Sequence, residues 1–472
     1  MFNKILITFL SLIIQIHLTK EDKLIFTHIH FRHGARSPIH LTDYKDIFRN
    51  NWSFPGELTP IGKRMEFILG VYLQDRYSSF LPKEYDPREI YIISSDLNRT
   101  LQSAYSVLSG LYPNGTGKSL TPEQVNKAIA PIEISQEVKD ALDSLNLDAL
   151  PNKTNVLPVH VFNAKERRFL LQDNENCPPI KEMKKEYLEI EEFKQYWNNF
   201  NDTYFMKIKE SIDFDISKEG QIGNFCDQYI ANYVQGNNLS RIPVNTETLY
   251  NDCLEYMNKS LLFGNYGEPN KTLKIALISA SPTTREMIDY MERRVKLIQE
   301  KEKIDITLNH SDYQYPRMVL LSGHDSTLSA TELLMMKAFP NLIHKYINPV
   351  FASNIIFELY FNESNNTGDI ANSSNYYIKY IINGEYIIEN LPFTEFKKNI
   401  ERRLYSDDEI ISFCELRERS LRWKCLIVIM IAIILFIIIL VILSIYTYFK
   451  VKAKNEKEQP IMDGTMKFTV SL

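Results

Sequence analysis

An almost unbroken run of Ile, Leu and Val over residues 426–449 constrains this chain more than any other feature. Spanning a hydrocarbon core takes roughly 20 apolar residues. The run is long enough, and Tyr446, Tyr448 and Phe449 lie at its far end, where interfacial aromatics collect. It reads as a transmembrane helix, so the folded body must be built from what precedes it. Basic residues do not orient the helix, because Arg417, Arg419, Arg422 and Lys424 on one side balance Lys450, Lys452, Lys454 and Lys457 on the other. The amino terminus does: Lys4 followed by a short apolar stretch over 5–16 reads as a signal peptide, too short to span. The expected layout is that of a single-pass type I membrane protein. It has a signal at 1–19, a lumenal or extracellular body at 20–415, a linker at 416–425, the span at 426–449 and a cytoplasmic tail at 450–472. Lysosome and cell surface both stay open.

Charge narrows the partners. The 472 residues carry a net −5, and setting aside +1 for the signal and +3 for the anchor and tail leaves the body at −9. An acidic body argues against nucleic acid, so any anion it binds must be held by a few local cations. Cys177, Cys226, Cys253 and Cys414 fall in the exported body, enough for two bridges in any of three connectivities, while Cys425 stands at the membrane edge. Twelve N-x-S/T sequons, one of them at Asn98, fit export as a glycoprotein.

Within the body, strand-like runs at 24–31, 89–94, 156–162, 317–322, 354–360 and 376–382 are separated by helical patterns. Thr59 and Pro60 suit the N-cap and first turn of a helix whose Ile61, Met65, Ile68, Leu69, Tyr72 and Leu73 repeat at helical spacing. Asp96 is a candidate N-cap for a second helix carrying Leu97, Leu101, Ala104, Tyr105 and Leu108 and closed by Gly110. A third opens at Ser326. Residues 164–272 have little strand signal and read as a helical cap, including helices at 180–200 and 246–262. The expected fold is therefore α/β: a central mixed, mostly parallel sheet flanked by helices, with an inserted helical cap.

Three strand ends carry ionisable groups: Arg32, His33 and Arg36 after the first, Arg99 after the second, His324 and Asp325 after the fourth long run. Guanidinium forks match phosphate oxygens, a neutral imidazole can attack phosphorus, and a carboxylic acid can protonate a leaving oxygen. Arg99 lies in the first turn of its helix, where the helix dipole disfavours a cation unless an anion is bound there. A metal site on His28, His30, His33 and His40 is the rival reading. It is electrostatically poor, with arginines beside His33 and no Cys or carboxylate cluster nearby.

The run Arg32-His33-Gly34-Ala35-Arg36-Ser37-Pro38 resembles the RHGxRxP signature of the histidine acid phosphatases, the second branch of the histidine phosphatase superfamily. Further stretches match in the family's order: Gly56-Glu57-Leu58-Thr59-Pro60-Ile61-Gly62, Ser95-Asp96-Leu97-Asn98-Arg99-Thr100, Gly110-Leu111-Tyr112-Pro113, Pro158-Val159-His160, Gly323-His324-Asp325 and Phe357-Glu358-Leu359-Tyr360. The resemblance covers roughly 24–415, and the layout looks most like the lysosomal and prostatic type. It implies an acid phosphatase acting on phosphate monoesters, with His33 as the nucleophile that forms a phosphohistidine. Arg32, Arg36, Arg99 and His324 would clamp the phosphate, and Asp325 would donate the proton. It implies no metal and no cofactor. The acid optimum it carries suits a His33 kept neutral by arginines and an Asp325 that starts protonated. It also pairs Cys177 with Cys414, leaving Cys226 with Cys253. The chain departs from the pattern at Ile93, where relatives commonly have arginine, and at Asn354, where they commonly have cysteine.

Two other functions compete. A phytase or inositol polyphosphate phosphatase of the same superfamily would want extra cations in the cap, for which Lys165, Arg167 and Arg168, or Lys181, Lys184 and Lys185, are the candidates. A non-catalytic, membrane-anchored binding ectodomain would need neither nucleophile nor acid. The sequence leaves monomer and homodimer equally open.

Overall fold

A computed structural model describes residues 22–41, 48, 52–161, 177–200, 202–203, 206–207, 221–242, 244–266, 273–299, 316–343, 345–362, 375–414 and 416–457. The signal segment, Lys165, Arg167, Arg168 and the end of the tail lie outside them. The chain divides into two units, 1–410 and 411–472.

The first unit is built on seven strands: β1 (Lys23–Arg32), β2 (Ile90–Ser94), β3 (His160–Val161), β4 (Met318–Gly323), β5 (Asn354–Phe361), β6 (Tyr376–Ile382) and β7 (Glu385–Pro392). They form one mixed sheet in the order β3-β2-β4-β1-β5-β6-β7. The β3-β2-β4-β1 half is parallel and the β1-β5-β6-β7 half antiparallel. Six of these strands fall on the expected runs. The seventh does not, because β7 is a half-solvated edge in which only Ile388 and Leu391 are buried. Its signal was the Asn383-Gly384 pair, whose φ angles of 50° and 84° make the tight turn from β6.

Strand alternation assigns the two faces. Ile29, Phe31, Ile92 and Leu320 turn to α1 (Pro60–Arg76) and α2 (Asn98–Leu111), meeting Leu69, Leu73, Val107 and Leu108 in one buried cluster. Gly110 does not close α2 but lies inside it. A Cβ there would stand 2.1 Å from the Phe67 carbonyl, so Gly110 lets the two helix backbones touch. On the opposite face His28 and His30 pack edge to face at 4.7 Å. His30 reaches Thr331, so these two histidines belong to the core and are separated from His33.

Between β3 and β4 every described element is helical: α3 (Pro178–Leu188), α4 (Glu191–Phe200), α5 (Gln221–Val234), α6 (Thr246–Leu261) and α7 (Lys274–Gln299). The run expected as one helix over 180–200 is two, broken at Glu189 and Ile190. α5 and α6 pack on each other around Phe225, Tyr229, Leu249 and Tyr256. Beyond β4, α8 (Asp325–Ala338) and α9 (Phe393–Glu401) join α7 on the second face, with Phe357 against Phe396 at 6.1 Å and Phe26 against Tyr290 at 6.3 Å.

Cys177 and Cys414 are disulfide-bonded, as the resemblance implies. The Cys226–Cys253 bridge is not formed: both are free, buried thiols within hydrogen-bonding reach of each other. Burial pushes the Cys226 thiol well above its usual range.

The second unit contains α10 (Leu416–Lys457), so the expected linker at 416–425 is helical. Its Trp423–Lys454 stretch, whose most apolar 18-residue window has a mean hydropathy of 3.9, is the one described helix long and apolar enough to cross a membrane.

Phe357-Glu358-Leu359-Tyr360 is structural. Glu358 is wholly buried and accepts from Arg76 Nε at 2.7 Å and Nη2 at 3.0 Å, from Tyr77 Oη at 2.7 Å and from Tyr360 Oη at 3.2 Å. Removing one member of such a buried charged network leaves the others unsatisfied. Glu358→Ala should therefore destabilise the body by about 3–5 kcal/mol, read as a lowered denaturant midpoint. A loss under about 1 kcal/mol would contradict this reading.

Candidate active site

Parallel register sets the site. Arg32 lies opposite Gly323, and Ser94 opposite Ser322, so β1, β4 and β2 end at one level. Carboxyl ends of neighbouring parallel strands are where such sheets bind ligands. β4 delivers His324 and Asp325 between the loop after β1 and the start of α2.

The loop after β1 is tied down by backbone contacts. The His33 amide donates to the Gly323 carbonyl at 3.1 Å, and the Gly34 amide to Ser103 Oγ at 3.2 Å. Gly34 presses on the first turn of α1, where a Cβ would meet the Gly62 carbonyl at 2.3 Å. Thr59 caps α1 by accepting from the Gly62 amide, and its hydroxyl and amide both donate to the Ala35 carbonyl at 3.0 Å. The Leu-Thr-Pro-Ile-Gly stretch thus fixes the loop that carries His33.

His33 is 3% exposed, with its Nδ1 2.9 Å from the Gly34 carbonyl. A carbonyl only accepts, so Nδ1 carries the proton and Nε2 keeps its lone pair. Burial first, then Arg32, His324, Arg36 and Arg99, pushes the ring's pKa well below the usual imidazole range. His33 is neutral with Nε2 free to attack.

His324 lies 5.5 Å from His33, ring to ring. Its Nε2 is 2.9 Å from Ser95 Oγ, which is 2.8 Å from Thr100 Oγ1, and Thr100 Oγ1 donates to main-chain carbonyls at 2.9 Å. Each hydroxyl has one proton, so Ser95 donates to Thr100 and His324 Nε2–H donates to Ser95. Nδ1 of neutral His324 is then a lone pair, and burial and Arg99 lower the ring's pKa to about 3.

The guanidinium groups are held differently. Arg32 donates to the Pro349 carbonyl at 2.7 Å and pairs with Asp325 at 2.9 Å, with its carbon 4.5 Å from the centre of the Phe351 ring. Arg36 forms a fork with Asp227, at 2.8 and 3.3 Å. Arg99 has no hydrogen bond or ion pair to a described residue, and its Nε is buried and unpartnered. Burial lowers Arg99 to about 10, so it stays charged below neutrality. α2 begins at Asn98 after Leu97 with no side-chain cap, so Asp96 is not the N-cap. α8 starts at Asp325, not Ser326, and the Ser326 amide is taken by Asp325 Oδ1 at 2.8 Å.

Asp325 also differs from expectation in its charge. Burial alone would raise its carboxyl, but Arg32 and then His324 hold it below the usual carboxylate range, so Asp325 is a carboxylate.

All six expected site residues line one cavity of about 650 Å³. Lys181, Lys184 and Lys185 do not line it, and Lys185 pairs with Glu182. Asp227 was missed. It sits on α5 and accepts from the Ile39 amide at 2.8 Å as well as from Arg36, joining the cap to the Arg36 loop. Nothing local in Asn224-Phe225-Cys226-Asp227-Gln228 marks it, since the contact spans almost 200 residues of chain.

A strand-end cluster of two neutral imidazoles, three guanidinium groups and a carboxylate defines an anion-binding site on an α/β fold. The family model of the histidine phosphatase superfamily (branch 2) matches residues 23–383, and the chain belongs to that family. Human prostatic acid phosphatase is 26% identical over 348 residues, covering 73% of this chain and 75% of that protein. Human lysosomal acid phosphatase is 24% identical over 352 residues, covering 74% and 70%. Among solved structures, the phytases of Klebsiella sp ASR1 and Citrobacter braakii share the fold, with TM-scores of 0.54 and 0.52 at 13% and 14% identity. They cover 82% and 81% of this chain and 97% and 98% of theirs.

Asp227 preorganises Arg36 yet competes with any anion for it. Asp227→Asn should therefore lower kcat on an aryl phosphate about 10- to 100-fold while inhibition by inorganic phosphate stays equal or tightens. An unchanged kcat would reduce Asp227 to a brace for the cap.

Proposed function

We propose that the chain is an acid phosphatase that hydrolyses phosphate monoesters through a phosphohistidine on His33. The observation that carries this is the tautomer of His33: Nδ1–H held by Gly34 and a bare Nε2 in a cavity with three guanidinium groups. Arg99, with no partner among the described residues, takes the phosphoryl group first, and Arg32 and Arg36 exchange their carboxylates for its oxygens. Nε2 attacks phosphorus, the ester bond breaks, and the alcohol oxygen takes a proton from Asp325. The same carboxylate then removes a proton from the water that cleaves the phosphohistidine.

The acid optimum follows from charge exchange. When phosphate displaces Asp325 from Arg32, the carboxylate loses the contact that kept its pKa low and faces a second anion, so it takes up a proton. His324 Nδ1 must also gain a proton before it can donate to a phosphate oxygen. Binding is thus linked to proton uptake and weakens as pH rises. We read the body as lumenal or extracellular. The apolar Trp423–Lys454 helix and an oxidised Cys177 and Cys414 support that placement.

Full-length chain in nanodiscs should turn over a generic aryl phosphate fastest at acid pH. His33→Ala should lose about 10⁴-fold or more and Asp325→Asn about 10²- to 10⁴-fold. Calorimetry in buffers of differing ionisation enthalpy should record proton uptake when inorganic phosphate binds. Equal turnover by wild type and His33→Ala, or proton release on binding, would contradict the mechanism.

A further inference from the structure

The cavity has two chemically different ends. Its floor holds the charged groups already described. Its wall comes from the cap, where Tyr250, Leu254, Met257 and Leu261 recur at i, i+4, i+7 and i+11 on α6, and Ile230 and Val234 at i, i+4 on α5. These spacings put each set on one helical face. The α6 residues are only half-buried. Tyr250, Leu254 and Met257 flank the cap's core and spend the rest of their surface on the cavity.

Charge in the cavity is limited. The described lining contains three arginines and no lysine, and two of the three arginines are opposed by Asp325 and Asp227. Its remaining polar groups, among them Asn258, Ser260 and Asn348, are neutral. One phosphoryl group satisfies the cations. A second phosphate on the same alcohol would meet the apolar stripe and the Asp227 carboxylate, at a desolvation cost with no partner in return among the described residues. The volume, about 650 Å³, lies in the range of sites that enclose a whole small ligand.

Resting on the phosphatase reading, we infer that the α5–α6 wall is the alcohol subsite, and that the preferred substrates are monoesters of bulky apolar alcohols rather than sugar, glycerol or inositol phosphates. Apolar contact contributes through the buried area of the alcohol, and Met257 gives the wall an adaptable surface.

A homologous series isolates this term, because ethyl, butyl and hexyl phosphates share one leaving-group chemistry and differ only in apolar length. With full-length chain in nanodiscs, kcat/KM should rise up to about fourfold per added methylene, and phenyl and naphthyl phosphates should report whether rings are taken as well as chains. Glycerol 2-phosphate and myo-inositol hexakisphosphate should be the poorest substrates. Leu254→Asn and, as a milder change, Met257→Gln should each flatten the chain-length series. A flat series in the wild type, or faster turnover of the inositol ester, overturns the apolar subsite and leaves the phosphatase reading standing. No turnover of any ester overturns that reading itself.

Discussion

Three guanidinium groups gathered around one imidazole repel one another, and the rest of the site is arranged about that repulsion. Two carboxylates oppose it, Asp325 against Arg32 and Asp227 against Arg36, while Arg99 has no partner among the described residues. The one guanidinium left without a carboxylate favours an incoming anion. Burial first and then the same field keep His33 neutral, so in the proposed mechanism the cluster that would capture phosphate also prepares the nucleophile. In the proposed mechanism, phosphate replaces carboxylate on the arginines, which links binding to proton uptake.

The fold makes this arrangement affordable by rigidity. β1, β4 and β2 end in register, and the loop carrying His33 is clasped between the Gly323 carbonyl, Ser103 and the first turn of α1. Gly34 and Gly62 touch backbone to backbone, which no side chain would permit. At the sheet's solvent-facing Arg76 corner the buried Glu358 network binds α1 to β5, so the helix that holds the loop is itself anchored to the sheet. Asp227 contributes the cap's share by tying α5 to Arg36.

Much of this was legible in the sequence because it is local. Strand runs, the Thr59 cap and the six ionisable residues at strand ends each depend on neighbours within a few positions. What escaped depends on distant packing. Asp227 meets Arg36 only through the tertiary fold, Gly110 is a helix contact rather than a stop signal, and the ionised state of Asp325 is set by Arg32 across the site. Cys226 and Cys253 meet as expected but as free thiols, and the burial that pushes the Cys226 thiol up is invisible in sequence. β7 was missed because a half-solvated edge strand has a weak apolar pattern, although its Asn383-Gly384 turn was in plain view.

The central claim is a covalent bond between His33 Nε2 and phosphorus, and rapid-quench labelling with a ³²P-aryl phosphate tests it most directly. The account predicts a phosphoenzyme that is acid-labile and alkali-stable, maps to the peptide containing His33, and is absent from His33→Ala. Label that is acid-stable, or that maps elsewhere while turnover proceeds, would contradict it.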